Sequence, residues 1–263
     1  MTRTALVIGG AGQIGQAVCR RLLADGWSVT AAQKHAGSLP AEIESLGARP
    51  ITLDREQPGA VARAVGAGVD ALIDTVAYDG THAAQLLAIE GDVGALVVVS
   101  SASVYRDGEG RTLDEARRNG FPDFPGPIGE DQPTVAAGPK TYSTRKVALE
   151  GALLQGSRRT VTILRPCAIH GPGSRHPREW FFVRRILDGR RAVPLAWDGE
   201  SRFHTTATAN IAELVAVVLG QPATQVLNVG DPDPPSARRI GEIIAALHGH
   251  DWRLAGFPGA PRH

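Results

Sequence analysis

Short apolar runs and helical repeats alternate along this chain from its first residues. In "TALVIGG" the stretch Ala5 to Ile8 is wholly apolar and glycine closes it, the pattern of a strand buried on both faces. Ile14, Val18 and Leu22 then recur four apart, as one face of a helix does. The runs "WSVTAA", "RPITL", "DALIDTVA" and "GALVVVSSA" repeat the strand theme, with helical patterns or polar turns between them. Strands that alternate with helices make βαβ units, so the pattern predicts an α/β fold with a doubly wound parallel sheet.

Between Tyr105 and Tyr142 the pattern breaks. This stretch holds five prolines and six glycines, which excludes long regular elements. A loop of this length inside a compact domain is functional or disordered. Periodicity resumes at Ser143 with "STRKVALEGALL", a helix, followed by the strand "TVTILRP". Beyond it lie helical "REWFFVRRIL" and "NIAELVAVVL", a strand "QVLNV", and a helix opening at Ser236 with Ile240, Ile243, Ile244 and Leu247 on one side.

Composition narrows the chemistry. The 263 residues carry 28 basic and 27 acidic side chains, a formal charge of +1, so nothing draws the whole protein to nucleic acid or to a membrane surface. An anionic ligand must be met locally. Cys19 and Cys167 stand far apart among apolar neighbours, which fits reduced, buried thiols and a cytoplasmic location. The first residues hold too short an apolar run for a signal peptide, and no segment has the length to span a bilayer. The one close histidine pair, His248 and His250, lacks further ligands at metal-site spacing, and no metal is expected.

The segment "VIGGAGQIG" sets Gly9, Gly12 and Gly15 between the first strand and the first helix. Gly9 permits a tight turn, Gly12 the close approach of a pyrophosphate, and Gly15 close packing of helix on sheet, while the helix N-terminus offers N–H groups and a positive dipole. This is a dinucleotide site by context, since strand precedes it and helix follows. At the end of the second strand stand Gln33, Lys34 and His35. With no carboxylate there to take a ribose 2′-hydroxyl, and with Lys34 available to a 2′-phosphate, NADP(H) is favoured over NAD(H).

Tyr142 and Lys146 lie at i and i+4 of a helix and share a face. A phenol ordinarily titrates at about 10, and a nearby ammonium is expected to draw it down toward working pH, which makes an acid/base tyrosine.

Taken together, "GGAGQIG", "LDRE", "SSASVY", "YSTRK", "LRPCAIHGPG" and "VLNVGDP" resemble, in that order, the motifs of the extended short-chain dehydrogenase/reductase superfamily, the NAD-dependent epimerase/dehydratase branch. The resemblance covers nearly the whole chain. It implies a Rossmann-type dinucleotide-binding domain over residues 1–165 and a small C-terminal substrate lobe over 166–263, partly interleaved with it. It further implies Ser101, Tyr142 and Lys146 as catalytic, with Ser103 competing for the serine role. Gly9, Gly12, Gln13, Ile14, Gly15, Lys34, Asp54, Ala77, Tyr142, Lys146, Pro166 and Ala168 would hold the cofactor, with Asp54 near the adenine. Ser101, Ser103 and Arg202 would hold a small-molecule substrate. The chemistry implied is hydride transfer at a secondary alcohol or ketone of a sugar, sugar-nucleotide or natural-product intermediate. A non-catalytic NAD(P)-binding sensor on the same fold is the alternative, since fold does not dictate function.

Three departures mark this chain. In "RFHTTATANIA", Asn210 stands where the branch places an aspartate, with the spacing from Arg202 stretched by one. The loop before Tyr142 is long and is expected to be a lid or a specificity insert, with Phe121 and Phe124 either pressing on substrate or pinning the loop by packing. The sequence stops early after "FPGAPRH", so the substrate lobe is expected to be small; His176, Arg178, Trp180 and Arg184 lie where it begins, and Arg175 with Arg178 would suit an anion. Ala148, Leu149, Ala152 and Leu153 offer a face for a homodimer or for packing on the sheet.

Overall fold

A computed structural model describes residues 2–174 and 177–259. Within them the chain separates into two compact units, divided as Met1–Cys167 with Thr208–Val229, and Ala168–Ala207 with Gly230–His263.

The first unit is built on a parallel sheet. Its strands are β1 (Thr4–Ile8), β2 (Ser28–Gln33), β3 (Arg49–Thr52), β4 (Val69–Asp74), β5 (Val93–Val99) and β6 (Val161–Pro166). A seventh, β10 (Gln225–Val229), joins after three short strands of the second unit: β7 (Ala168–His170), β8 (Ala192–Ala196) and β9 (Thr205–Ala207). The order is β10-β6-β5-β4-β1-β2-β3, with every pairing parallel. The strand order reverses between β1 and β4, and in such sheets ligands bind at that switch point, beyond the carboxyl ends of the strands.

Helices α1 (Gln13–Ala24), α2 (Ala41–Ser45), α3 (Ala60–Val65), α4 (Gly80–Ala88), α5 (Ala116–Asn119) and α6 (Tyr142–Gly156) belong to this unit. After α7 (Trp180–Leu187) in the second unit comes α8 (Thr208–Gly220), which packs on α1 and returns to the first. One core fills the space between β1, β4, β5, β6 and the pair α4 and α6: Leu6, Leu72, Leu86, Leu96, Leu149 and Ile163 are buried together there. Leu149 and Leu153 are fully buried in it, so these two residues pack on the sheet rather than offering a surface. Cys19 is buried and Cys167 only half-buried, and neither is in a disulfide.

The second unit is smaller. β7 pairs with β9, and β8 pairs with β11 (Arg253–Phe257), both parallel. Between these lie α7 and α9 (Ala237–Leu247), the latter capped by the Ser236 hydroxyl accepting from the Arg239 N–H. Phe182, Val193, Leu195 and Ile244 form its core, and the Phe182 and Trp252 rings sit 5.9 Å apart. The short strands of this unit carry mixed residues, and their pattern did not stand out in the sequence.

Candidate active site

The glycine turn follows β1. Gly9 has φ +88°, a left-handed conformation, and a side chain there would drive into Thr75 and Val76. A Cβ on Gly15 would collide with the Gly9 carbonyl, so α1 lies against the turn at van der Waals distance. A Cβ on Gly12 would come within 3.2 Å of the Gly9 oxygen and otherwise point into open space, and among the described residues no side chain caps α1 at this end. Gln13 and Ile14, half-buried, form the first turn. The cradle and the uncapped helix start fit a pyrophosphate.

Lys34 and Asp54 converge at the ends of β2 and β3, with the ammonium 3.9 Å from the carboxylate. Lys34 is exposed and can turn to either partner. Beside it the side chain of Gln33 is buried, and its Oε1 lacks a hydrogen-bond partner among the described residues. A buried carbonyl oxygen without a donor is costly, which fits a hydroxyl or amino group of a bound ribose or adenine supplying one. Gln33 entered the sequence reading only as the absence of a carboxylate.

The β4 end is shaped by a buried ion pair that the sequence reading missed. Arg55 reaches Asp74 at 2.8 Å, and the same carboxylate accepts from the N–H groups of Val76 and Ala77 at 3.0 and 2.8 Å. The turn so held presents the Ala77 carbonyl to Lys146, whose Nζ donates to it at 2.6 Å and to the Val99 carbonyl at 2.9 Å. Burial lowers the Lys146 pKa to about 8, against the opposing charges of Asp74 and Glu150.

Tyr142 opens α6, whose N-terminus is closed by a capping box between Thr141 and Thr144. The Ser101 side chain is the neighbour that favours the ionised form of the tyrosine. The Lys146 ammonium lies 5.7 Å from the centroid of its ring, spending its protons on the two carbonyls. Although Tyr142 is 40% exposed, desolvation pushes its phenol above the ordinary value, with the Ser101 side chain opposing and the Tyr78 and Asp114 side chains adding to the rise. The expectation of a phenol drawn down by Lys146 therefore does not describe this arrangement, because burial outweighs a cation that does not touch the oxygen.

Ser101 and Ser103 are separated by their partners. The Ser101 hydroxyl accepts from the Ser103 N–H at 3.1 Å and lowers the Tyr142 pKa, whereas the Ser103 hydroxyl accepts from Ser143 at 3.0 Å. The Ser143 N–H in turn donates to Asp114 at 2.8 Å, so a loop carboxylate reaches the first turn of α6. Tyr78, its ring 5.7 Å from that of Tyr142, walls the same place.

The long loop is anchored, not loose. Asp107 is buried and accepts from the N–H groups of Arg111 and Asp123 at 2.8 and 2.9 Å and from the Arg111 guanidinium at 2.6 Å. Further on, Glu130 and Ile128 accept from the backbone and side chain of Asn228, which itself accepts from the Tyr105 hydroxyl at 2.6 Å. Phe121 is 69% exposed and packs on little, while Phe124 is half-buried.

The remaining expected residues fall in both units. Pro166 ends β6 in the first, while Ala168 begins β7 in the second, pairing in register with Thr205. Arg202, in the second unit, donates to the Pro234 carbonyl at 3.1 Å, whereas Asn210 lies on α8 in the first. Arg184 pairs with Asp188 at 3.0 Å and Trp180 is exposed. Arg175 and His176 lie outside the described residues.

A seven-stranded parallel sheet with a glycine turn at its first strand, and a serine, a tyrosine and a lysine beyond its central strands, defines a Rossmann-like fold. The chain matches the NAD dependent epimerase/dehydratase family over residues 5–230 and belongs to that family. It is 32% identical over 228 residues to the 2-alkyl-3-oxoalkanoate reductase of Stenotrophomonas maltophilia (strain K279a), an alignment covering 79% of this chain and 62% of that protein. Among solved structures it resembles dTDP-glucose 4,6-dehydratase from Bacillus anthracis in complex with NAD, with TM-score 0.74 and 19% identity over 99% of this chain and 86% of that one. It resembles equally UDP-N-acetylglucosamine 4-epimerase from Bacillus cereus, with TM-score 0.74 and 17% identity over 98% and 86%. At such identities the structural likeness is one of fold. Among the described residues no helix is long and apolar enough to cross a membrane.

Proposed function

We propose that this protein is a nicotinamide-dependent oxidoreductase that reduces a ketone, or oxidises the corresponding secondary alcohol, of a small molecule. The observation that carries the reading is a buried Lys146, fixed by the Ala77 and Val99 carbonyls, on the helix face of a Tyr142 that has Ser101 as its neighbour. When bound, the cofactor supplies or takes the hydride. Tyr142 gives its phenolic proton to the carbonyl oxygen as the hydride reaches the carbon, or removes it in the reverse direction. A phenol, which ordinarily titrates at about 10, carries its proton at neutral pH and can donate it in reduction. Ser101 donates to the same oxygen and holds it for the transfer. Lys146, fixed by Ala77 and Val99, has one further N–H to offer a nicotinamide ribose.

The reductase direction is favoured over epimerisation by the 2-alkyl-3-oxoalkanoate reductase among the relatives, and NADP(H) by Lys34 with no carboxylate at residues 33–35. Two measurements test this. Nucleotide released on denaturing the purified protein, identified by mass spectrometry, separates a tightly held NAD+, as a recycling epimerase needs, from an empty site that prefers NADPH. Tyr142→Phe separates enzyme from sensor: hydride transfer should fall at least about a hundredfold while nucleotide binding persists. Undiminished turnover by that variant would sink the assignment.

A further inference from the structure

The second unit holds a cavity of about 1350 Å³ whose lining residues all belong to that unit. Its walls include Phe182, Leu195, Trp197, Ile240, Ile244 and Phe257, and three of these belong to the unit's own core. The apolar lining is thus continuous with the folded interior. It is supported by the sheet of β8 and β11 and by α7 and α9.

The charges on the lining are unevenly matched. Both acids face His170: Asp231 lies 2.6 Å from its Nε2 and Glu179 4.0 Å from its Nδ1. The two arginines have no such partner. Arg178 donates to the Ile169 carbonyl at 3.2 Å, and Arg185 donates to the Phe181 carbonyl at 2.6 Å while its guanidinium lies 3.6 Å from the centroid of the Phe181 ring. Among the described residues neither guanidinium meets a carboxylate. Arg178 enters α7 and Arg185 follows two turns on, so the lining carries a pair of cations with donors to spare at an apolar wall.

We propose that this cavity takes an alkyl carboxylic acid, its hydrocarbon body against the apolar wall and its carboxylate on Arg178 and Arg185. The proposal goes beyond the oxidoreductase reading and gives the second unit a ligand class: a carboxylic acid on a chain of several carbons. A sugar nucleotide suits this wall poorly. Its many hydroxyls would lose water and find aromatic rings and aliphatic side chains in exchange. An alkyl chain loses nothing polar on entry, and guanidinium forks match a carboxylate.

The test is calorimetric titration of the intact protein with octanoate, decanoate, dodecanoate, dodecanol and UDP-glucose. Affinity should tighten about fourfold per added methylene along the acids. Dodecanoate should bind at least about tenfold more tightly than dodecanol, and Arg178→Ala with Arg185→Ala should remove that advantage while leaving dodecanol binding unchanged. An affinity indifferent to chain length, a preference for UDP-glucose over dodecanoate, or arginine variants that still discriminate acid from alcohol would each overturn the proposal. The chain-length series uses the unaltered protein, so it does not depend on a variant folding. Tyr142→Phe should give the same series, so failure of the cavity assignment shows in binding and failure of the hydride-transfer reading shows in turnover.

Discussion

The Lys146 ammonium lies 5.7 Å from the centroid of the Tyr142 ring and donates to carbonyls of two different strand ends, Ala77 and Val99. Lysine and tyrosine thus share a helix face without an ion pair between them. Lys146 ties α6 to the turn after β4 and the end of β5.

That placement carries a pH signature. The folded lysine titrates at about 8 where an unfolded one does so at 10.5. Between those values the unfolded chain holds a proton the folded chain has released, so stability attributable to Lys146 rises with pH across that window. Comparing urea midpoints of Tyr142→Phe with Tyr142→Phe/Lys146→Met should show the lysine-containing protein gaining relative to its partner from about pH 8 to pH 10.5. The tyrosine is removed from both because its own raised pKa acts oppositely above pH 10. A flat difference would contradict the burial.

Asp114 reaches α6 from the long loop, and its charge raises the Tyr142 pKa. Asp114→Asn keeps an oxygen for the Ser143 N–H and removes the charge. The tyrosine limb of the kcat/KM profile should move to lower pH in this variant. Asp114→Ala should lose the acceptor as well, destabilising the protein by about 1 kcal/mol in thermal or urea unfolding.

Lys34 has a competitor in Asp54, 3.9 Å away. Lys34→Ala should raise KM for NADPH about tenfold and leave NADH nearly unaffected, because only NADPH carries the 2′-phosphate. Asp54→Asn frees the ammonium and should lower KM for NADPH. Steady-state kinetics with both nucleotides checks the pair, and equal effects on NADH and NADPH would remove Lys34 from the phosphate site.

Glu150 and Arg165 form a buried bidentate pair at 3.1 and 2.6 Å, and Arg165 also donates to the Tyr105 hydroxyl at 2.9 Å. Glu150→Leu leaves a buried guanidinium without its carboxylate and should cost about 3–5 kcal/mol in urea unfolding. Glu150→Leu/Arg165→Met should recover much of that loss, since no charge is then stranded. The double variant should still loosen the loop, because Tyr105 loses the arginine that holds it against Asn228.

Arg111 and Asp123 both satisfy Asp107, so removing the whole of residues 111–123 would strand a buried carboxylate. Shortening only between them is the variant that tests a lid, by its effect on KM.

The alternating buried runs and four-residue repeats determined the parallel sheet, because a strand covered on both faces must be apolar throughout and a helix on its flank only along one stripe. They also determined the glycine turn, which no side chain could occupy, and the shared face of Tyr142 and Lys146. Tertiary structure alone decided the partners. On α6 the buried face mixes Leu149 and Leu153 with Ser143, Lys146 and Glu150, so its hydrophobic periodicity is faint and nothing local says that Lys146 meets carbonyls 69 and 47 residues away. The Arg55–Asp74 pair, the Asp107 anchor and the passage of the chain from first unit to second and back are of the same kind. Periodicity along a chain records which face leaves water; which distant group a buried charge then meets is set by the order in which strands join the sheet.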